Sequence, residues 1–157
     1  MPIPDQQLPE GYAIRCFRPD DWDDLVELAA ATNAAFKRGN FHQPGEIHTW
    51  VTAPSYRNDL DLVAIAPDGS IAAFCTMWYD ERNGHGKLEP VGTHPDHQRR
   101  GLASAVMYEA MRRVKALGGK SVGVETGAAM AANHLYESVG LELFDYDDEC
   151  WKELVVR

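Results

Sequence analysis

The segment Gln98-Arg99-Arg100-Gly101-Leu102-Ala103 combines two cations and a glycine just ahead of a long helical pattern, and the chemistry of that combination is anion binding. A strand-like stretch, Lys87–Thr93, runs into His94-Pro95, where the proline ends regular structure, and a helix is predicted over Leu102–Leu117. The first N–H groups of such a helix have no partner within it, and the helix dipole adds positive potential at the same end. Gly101 has no side chain to obstruct a ligand, and Ala103 and Ser104 have small ones. A diphosphate is the ligand best matched to these donors. The segment is neither a Walker loop, which needs Gly-Lys-Ser/Thr, nor a dinucleotide fingerprint, which needs three spaced glycines. Glycine in a strand-to-helix turn also has a purely steric use, so the segment alone leaves both readings open.

A second motif lies downstream, Leu135-Tyr136-Glu137-Ser138-Val139-Gly140. Gln98, Gly101 and Ala103 fit an Arg/Gln-x-x-Gly-x-Gly/Ala turn, and Leu135, Tyr136, Glu137 and Gly140 fit a Leu-Tyr-Glu-x-x-Gly segment. With the order of elements from Tyr12 to Trp151, these motifs make the chain resemble the Gcn5-related N-acetyltransferase (GNAT) superfamily. The resemblance implies a single acyltransferase domain over 1–157 with an irregular tail over 1–10. It implies an α+β, three-layer fold: a mixed, mostly antiparallel sheet of roughly six to seven strands, a splayed parallel pair at its centre, and about four helices. It assigns the pyrophosphate of acetyl-CoA to Gln98, Arg99, Arg100, Gly101, Leu102, Ala103 and Ser104. The pantetheine arm falls to Val91, Gly92 and Thr93, in a gap between strand 86–93 and strand 121–126. Family members often carry an asparagine seven residues before the tyrosine, and that position is Ala129. Asn133 either takes over the coenzyme contact or caps a neighbouring backbone group.

Acyl transfer from a thioester to an amine needs a free amine, a stabilised oxyanion and a proton for the leaving thiolate. Tyr136, placed near the coenzyme sulfur by the resemblance, is the candidate acid. The backbone around Val91 and Thr93 is the candidate for the oxyanion and for the arm's amides, since an exposed strand edge pairs with an amide-bearing ligand. Pro90 cannot donate to a ladder, which places it at a bulge or an unpaired edge. Glu89 is the candidate base, two residues before Val91 and therefore on the same face of a regular strand. Glu125 on the neighbouring strand, or a water chain to either carboxylate, is the alternative. Cys75 reads as a core residue rather than an acyl carrier, which favours direct transfer. His94 and His97 lack spaced partners for a metal site and read as residues that either shape the turn or approach the phosphates. Trp78, Tyr79, Phe41 and Trp50 divide between core and acceptor pocket in a way the sequence does not resolve. The competing reading is a non-catalytic acyl-CoA-binding or regulatory module.

The 157 residues suit one domain, with 45% hydrophobic and 25% charged residues. No apolar run approaches the length of a membrane span, and the first residues lack the basic region and apolar core of a signal peptide. Three dispersed cysteines, Cys16, Cys75 and Cys150, point to a reducing cytoplasm. A net charge of −9 disfavours a nucleic-acid partner. Within that acidic chain, Arg99, Arg100, Arg112, Arg113, Lys115 and Lys120 form a basic island around the turn, suited to a polyanionic cofactor. Arg112, Arg113 and Lys115 are expected on a solvated helix face. The expected partners are acyl-CoA and a small amine or peptide; homodimers are common in the resembled family, which leaves a homodimer open.

The elements that position these groups follow from local signals. Strands are predicted over Tyr12–Phe17, Leu60–Ala66, Ser70–Tyr79 and Gly86–Thr93, with Pro67-Asp68-Gly69 and Asn83-Gly84 as turns. Helices are predicted over Asp21–Ala35, capped by Asp20, and over Glu46–Thr52. After Gly118-Gly119 a strand is predicted over Ser121–Thr126, then a helix over Ala128–Val139 closed by Gly140. A last hairpin is predicted over Leu141–Tyr146 and Cys150–Val155. The unit 86–126 is a right-handed parallel crossover.

Overall fold

The computed structural model of the chain describes residues 2–127 and 130–145. The elements run in the order β1 (Ala13–Cys16), α1 (Trp22–Phe36), α2 (Pro44–Val51), β2 (Asp61–Ile65), β3 (Ile71–Asp80), β4 (His85–Thr93), α3 (Leu102–Ala116), β5 (Ser121–Gly123) and α4 (Ala132–Ser138). The strands form one sheet in the order β1-β2-β3-β4-β5, antiparallel throughout except for the β4–β5 pair. This is the mixed α+β arrangement expected, with five strands among the described residues rather than six to seven. Residues 141–145 form no strand, and the rest of the expected last hairpin, with Ala129 and Cys150, lies outside the described residues.

Period-2 alternation in β2 and β3 sorts side chains onto two faces. Leu62, Ala64, Cys75 and Met77 pack with Leu102, Val106, Met107 and Val114 of α3. Val63, Ile71 and Phe74 pack with Leu25, Leu28 and Ala29 of α1 and Ile47 of α2. A sheet with helices on both faces buries both sets, which is why β2 and β3 read as nearly continuous apolar runs. Among the described residues no helix is long and apolar enough to cross a membrane.

Several predicted boundaries move, each for a local reason. Asp21, not Asp20, caps α1: its backbone is extended and its carboxylate accepts the N–H of Asp23 at 3.0 Å. The second helix begins at Pro44, whose missing N–H costs nothing at a helix start. β5 stops at Gly123, where its pairing with β4 ends at Lys87, and α4 begins at Ala132 rather than Ala128.

Asp24 fixes α1 to β1. It is buried, and its carboxylate accepts hydrogen bonds from Arg15 at 2.6 and 2.8 Å and from the Arg18 guanidinium at 2.7 and 3.2 Å. Burial pushes the Asp24 carboxyl up, but the bonds from Arg15 and Arg18 outweigh it and hold it below its ordinary value. Only Asp24 is buried, and its partners Arg15 and Arg18 reach solvent, so Asp24→Asn is expected to cost about 2 kcal/mol and to lower Tm by roughly 5 °C. Because the folded-state pKa is depressed, this stability is present above the unfolded value near about 4 and is lost as pH falls through the folded value. Urea titrations of both proteins across that range check it: the gap between them should close as the solution is acidified.

Candidate active site

The Gln98–Ala103 turn is built from the end of β4 forward. The His94 N–H donates to the Ala72 carbonyl at 2.8 Å, and a short 3-10 turn over Pro95–His97 follows. His94 Nδ1 accepts the Asp96 N–H at 3.3 Å, and His97 Nδ1 meets the Tyr12 hydroxyl at 2.9 Å, so both histidines shape the turn. Arg99 (φ 59°) and Gly101 (φ 74°) both adopt left-handed backbone, and no side chain caps the start of α3. Left-handed residues flanking a helix start turn successive N–H groups toward one concavity, an arrangement suited to anions. The carbonyl of Gly101 faces the other way, accepting from Ala105 N–H at 3.0 Å and from Gln6 Nε2 at 2.8 Å.

Of the basic island, only part is available to a ligand. Arg112 bonds Glu109 at 2.7 Å and the Pro4 carbonyl at 2.8 Å. Arg113 bonds Glu109 at 2.9 Å, the Cys16 sulfur at 3.0 Å and the Asp59 carbonyl at 2.8 Å. These two are structural ties, which corrects the expected solvated face. Arg99 and Arg100 are exposed and have no ion-pair partner among the described residues, although Arg100 lies 5.9 Å from the Tyr12 ring centre.

β4 and β5 pair only through His85↔Ser121, Gly86↔Val122 and Lys87↔Gly123. Beyond Lys87, the edge of β4 facing β5 has no strand partner among the described residues, as expected for a splayed pair. On the opposite edge, Cys75↔Val91 and Met77↔Leu88 enclose a bulge at Glu89–Pro90. The extra residue reverses the alternation, so Leu88 and Val91 both pack toward α3. Glu89 and Val91 therefore do not share a face, contrary to the expectation from a regular strand. Gly92 sits over Phe74, where a Cβ would lie 2.4 Å from the ring. Glu89 is not beside an apolar cleft either: its side chain is 62% exposed and lies 2.9 Å from Lys87 Nζ, which also reaches Glu125 at 3.1 Å. The Glu89 carbonyl accepts the Trp78 indole N–H at 2.7 Å.

Tyr136, on α4, packs half-buried in the same apolar cluster as Cys75, Val91 and Val124. Burial, then the nearby Cys75, pushes its phenol above the ordinary value, so it holds its proton at neutral pH. Cys75 itself is fully buried, and burial pushes its thiol up as well, which disfavours a nucleophilic thiolate. Asn133 accepts from the Thr126 hydroxyl at 2.9 Å and donates to the Gly127 carbonyl at 3.0 Å, tying α4 to the segment that follows β5.

One group escaped the sequence reading. Asp61, at the start of β2, is 2% exposed, and its carboxylate accepts from Tyr56 at 2.8 Å and Thr76 at 2.9 Å. Burial pushes it up to about 6, with the two hydroxyls acting in the opposite direction. The same burial, with Asp61 alongside, holds the Tyr56 phenol far above its ordinary value. Asp61 closes a small cavity whose wall includes Trp50, Trp78 and Pro90, the last at the β4 bulge. Of the aromatics left unsorted by sequence, Trp50 and Trp78 line this cavity, Phe41 is exposed, and the Tyr79 hydroxyl reaches the Leu117 carbonyl at 3.4 Å. The available signal was an acid in phase with Val63 and Ile65, on the inward face of an apolar strand.

The profile of the acetyltransferase (GNAT) family matches residues 58–141, more than half of the chain. The chain is 30% identical over 114 residues to a mycothiol acetyltransferase of Clavibacter michiganensis, covering 73% of this chain and 37% of that protein. It is 27% identical over 164 residues to a mycothiol acetyltransferase of Propionibacterium freudenreichii, covering 94% of this chain and 50% of that protein. The chain thus spans half or less of the length of these curated relatives. Among solved structures, a GCN5-related N-acetyltransferase from Sphaerobacter thermophilus superposes with a TM-score of 0.72 at 24% identity, over 89% of this chain and 44% of that one. An aminoglycoside acetyltransferase from an uncultured soil metagenomic sample, in complex with sisomicin, superposes with a TM-score of 0.75 at 14% identity, over 92% and 97%. Both structural likenesses concern the fold. With the profile matching more than half of its residues, the chain belongs to the acetyltransferase (GNAT) family.

Proposed function

We propose that residues 1–157 act as one N-acetyltransferase domain in the cytoplasm, moving an acetyl group from acetyl-CoA to an amine of a small molecule or peptide in a ternary complex. The observation that carries this reading is the β4 edge that, beyond Lys87, has no strand partner among the described residues; it leads into the Gln98–Ala103 turn and packs, through Val91, in the cluster that holds Tyr136. The diphosphate of the donor sits on the N–H groups of Leu102, Ala103 and Ser104, with Gln98, Arg99, Arg100 and Gly101 around it. The pantetheine amides pair with β4 at Val91, Gly92 and Thr93 in the manner of an added strand. The backbone at Val91 holds the oxyanion, and Tyr136 gives its proton to the departing sulfur. Asn133 steadies α4 beside the donor. A carboxylate takes the proton of the amine, and Glu89 and Glu125, joined by Lys87, are the pair at the mouth of the gap.

Release of free CoA thiol from acetyl-CoA, measured across a panel of primary and secondary amines and peptide N-termini, tests the reading. Amine-dependent release well above hydrolysis is expected with at least one class. Tight acetyl-CoA binding without release for any amine would replace it with a non-catalytic binding module.

A further inference from the structure

We propose that the Asp61 cavity is the acceptor site, that it selects a primary ammonium, and that Asp61 is the group that takes the acceptor's proton. This rests on the acetyltransferase reading above and moves the first proton transfer from the mouth, at Glu89, to the floor of the cavity.

Four observations carry it. Asp61 is a carboxylate buried between β2 and β3, satisfied only by the hydroxyls of Tyr56 and Thr76 and facing no cation among the described residues. A carboxylate in that setting is costly without a positive partner. The walls are aromatic: the Tyr56 and Trp78 rings meet edge to face at 6.2 Å, and Trp50 closes the α2 side. An anionic floor under aromatic walls is the surface that recognises an ammonium. The cavity admits a water-sized group, one water or one –NH3+ head, and a primary ammonium can donate hydrogen bonds to Asp61 where a quaternary one has none to give. Finally, Pro90 joins the cavity to the bulge, one residue from Val91, where the thioester carbonyl is placed.

The proton balance closes. The bound ammonium gives one proton to Asp61, and the resulting amine attacks the thioester carbonyl carbon through its lone pair. The C–S bond then breaks with its electrons on sulfur, which takes the Tyr136 proton. The second proton leaving nitrogen restores Tyr136, and Asp61 returns its proton to solvent. Besides Asp61, the titratable groups facing the site are Tyr56 from the α2–β2 segment and, through the sheet, Cys75. The residues that α1, α2 and β4 present to it are uncharged. With the carboxyl near 6, turnover should fall on the acid side around that pH.

The test has two independent arms. In thermal melts, n-butylammonium should raise the midpoint of the wild type more than tetramethylammonium or n-butanol at equal concentration. Asp61→Asn should abolish that difference while itself melting higher than the wild type, because it removes a buried charge. In turnover with the best primary amine, Asp61→Asn should lower kcat by about a hundredfold with acetyl-CoA affinity unchanged. Tyr56→Phe, which deletes a bond holding the Asp61 pKa down, should move the acid limb to higher pH. No selective protection by the primary ammonium, or a larger loss from Glu89→Gln than from Asp61→Asn, overturns the assignment. Selective protection without CoA release for any amine would leave the ammonium site standing and sink the acetyltransferase reading instead.

Discussion

Gly101→Glu is expected to reduce acetyl-CoA affinity at least about a hundredfold, read by calorimetry on protein whose melting curve confirms folding. Two effects add. Gly101 holds φ 74°, where a residue with a Cβ loses about 1–2 kcal/mol. The glutamate then places a negative charge against the N–H groups and dipole that would hold the diphosphate, reversing the favourable sign. The steric part is small: an added Cβ would lie 2.1 Å from Gln6 Nε2, the far end of a flexible side chain. Gly118→Glu is the matched control, since Gly118 has φ 88°, open space around it, and sits at the opposite end of α3. It should cost stability and leave acetyl-CoA binding intact. Equal affinity for Gly101→Glu and wild type would remove the turn from the donor site.

Tyr136→Phe is expected to lower kcat at least about tenfold and up to a hundredfold, with acetyl-CoA affinity changed less than about threefold. The ring stays, so its packing beside Cys75 and Val91 stays, and only the phenolic proton is lost. A thiolate leaving without a proton donor in a half-buried site is the step that slows, so thioesters with more acidic thiols should be rescued preferentially. A uniform loss across leaving groups, or no loss with the best amine, would take Tyr136 out of the proton path.

The parts of this molecule legible in its sequence are those encoded locally. α3 announces itself through apolar positions at helical spacing, and the turn before it through proline, arginines and glycine in a row. The β3–β4 hairpin and the parallel crossover follow from turn residues and connection rules. Features that depend on register stayed hidden. The bulge at Glu89–Pro90 adds one residue on one strand, and that single insertion sent Glu89 and Val91 to opposite faces. The Asp61 cavity is dispersed further, drawing on α1, α2, the following segment, β2, β3 and β4, residues with no spacing rule to connect them. The arginines of α3 depart from the solvated face for a similar reason: Cys16 and Asp59, acceptors of Arg113, and Pro4, an acceptor of Arg112, are remote in sequence.

The alternation that sends Leu62 and Cys75 toward α3 and Val63 and Phe74 toward α1 makes the sheet a bulkhead between two compartments. Under the proposed function, the donor-handling parts would lie mostly on one side and the acceptor walls on the other, with the β4 bulge as the port between them. A chassis of this kind lends itself to grafting: chimeras that exchange the α1–α2 segment of one relative for that of another would re-tool the choice of amine while the coenzyme berth is inherited unchanged.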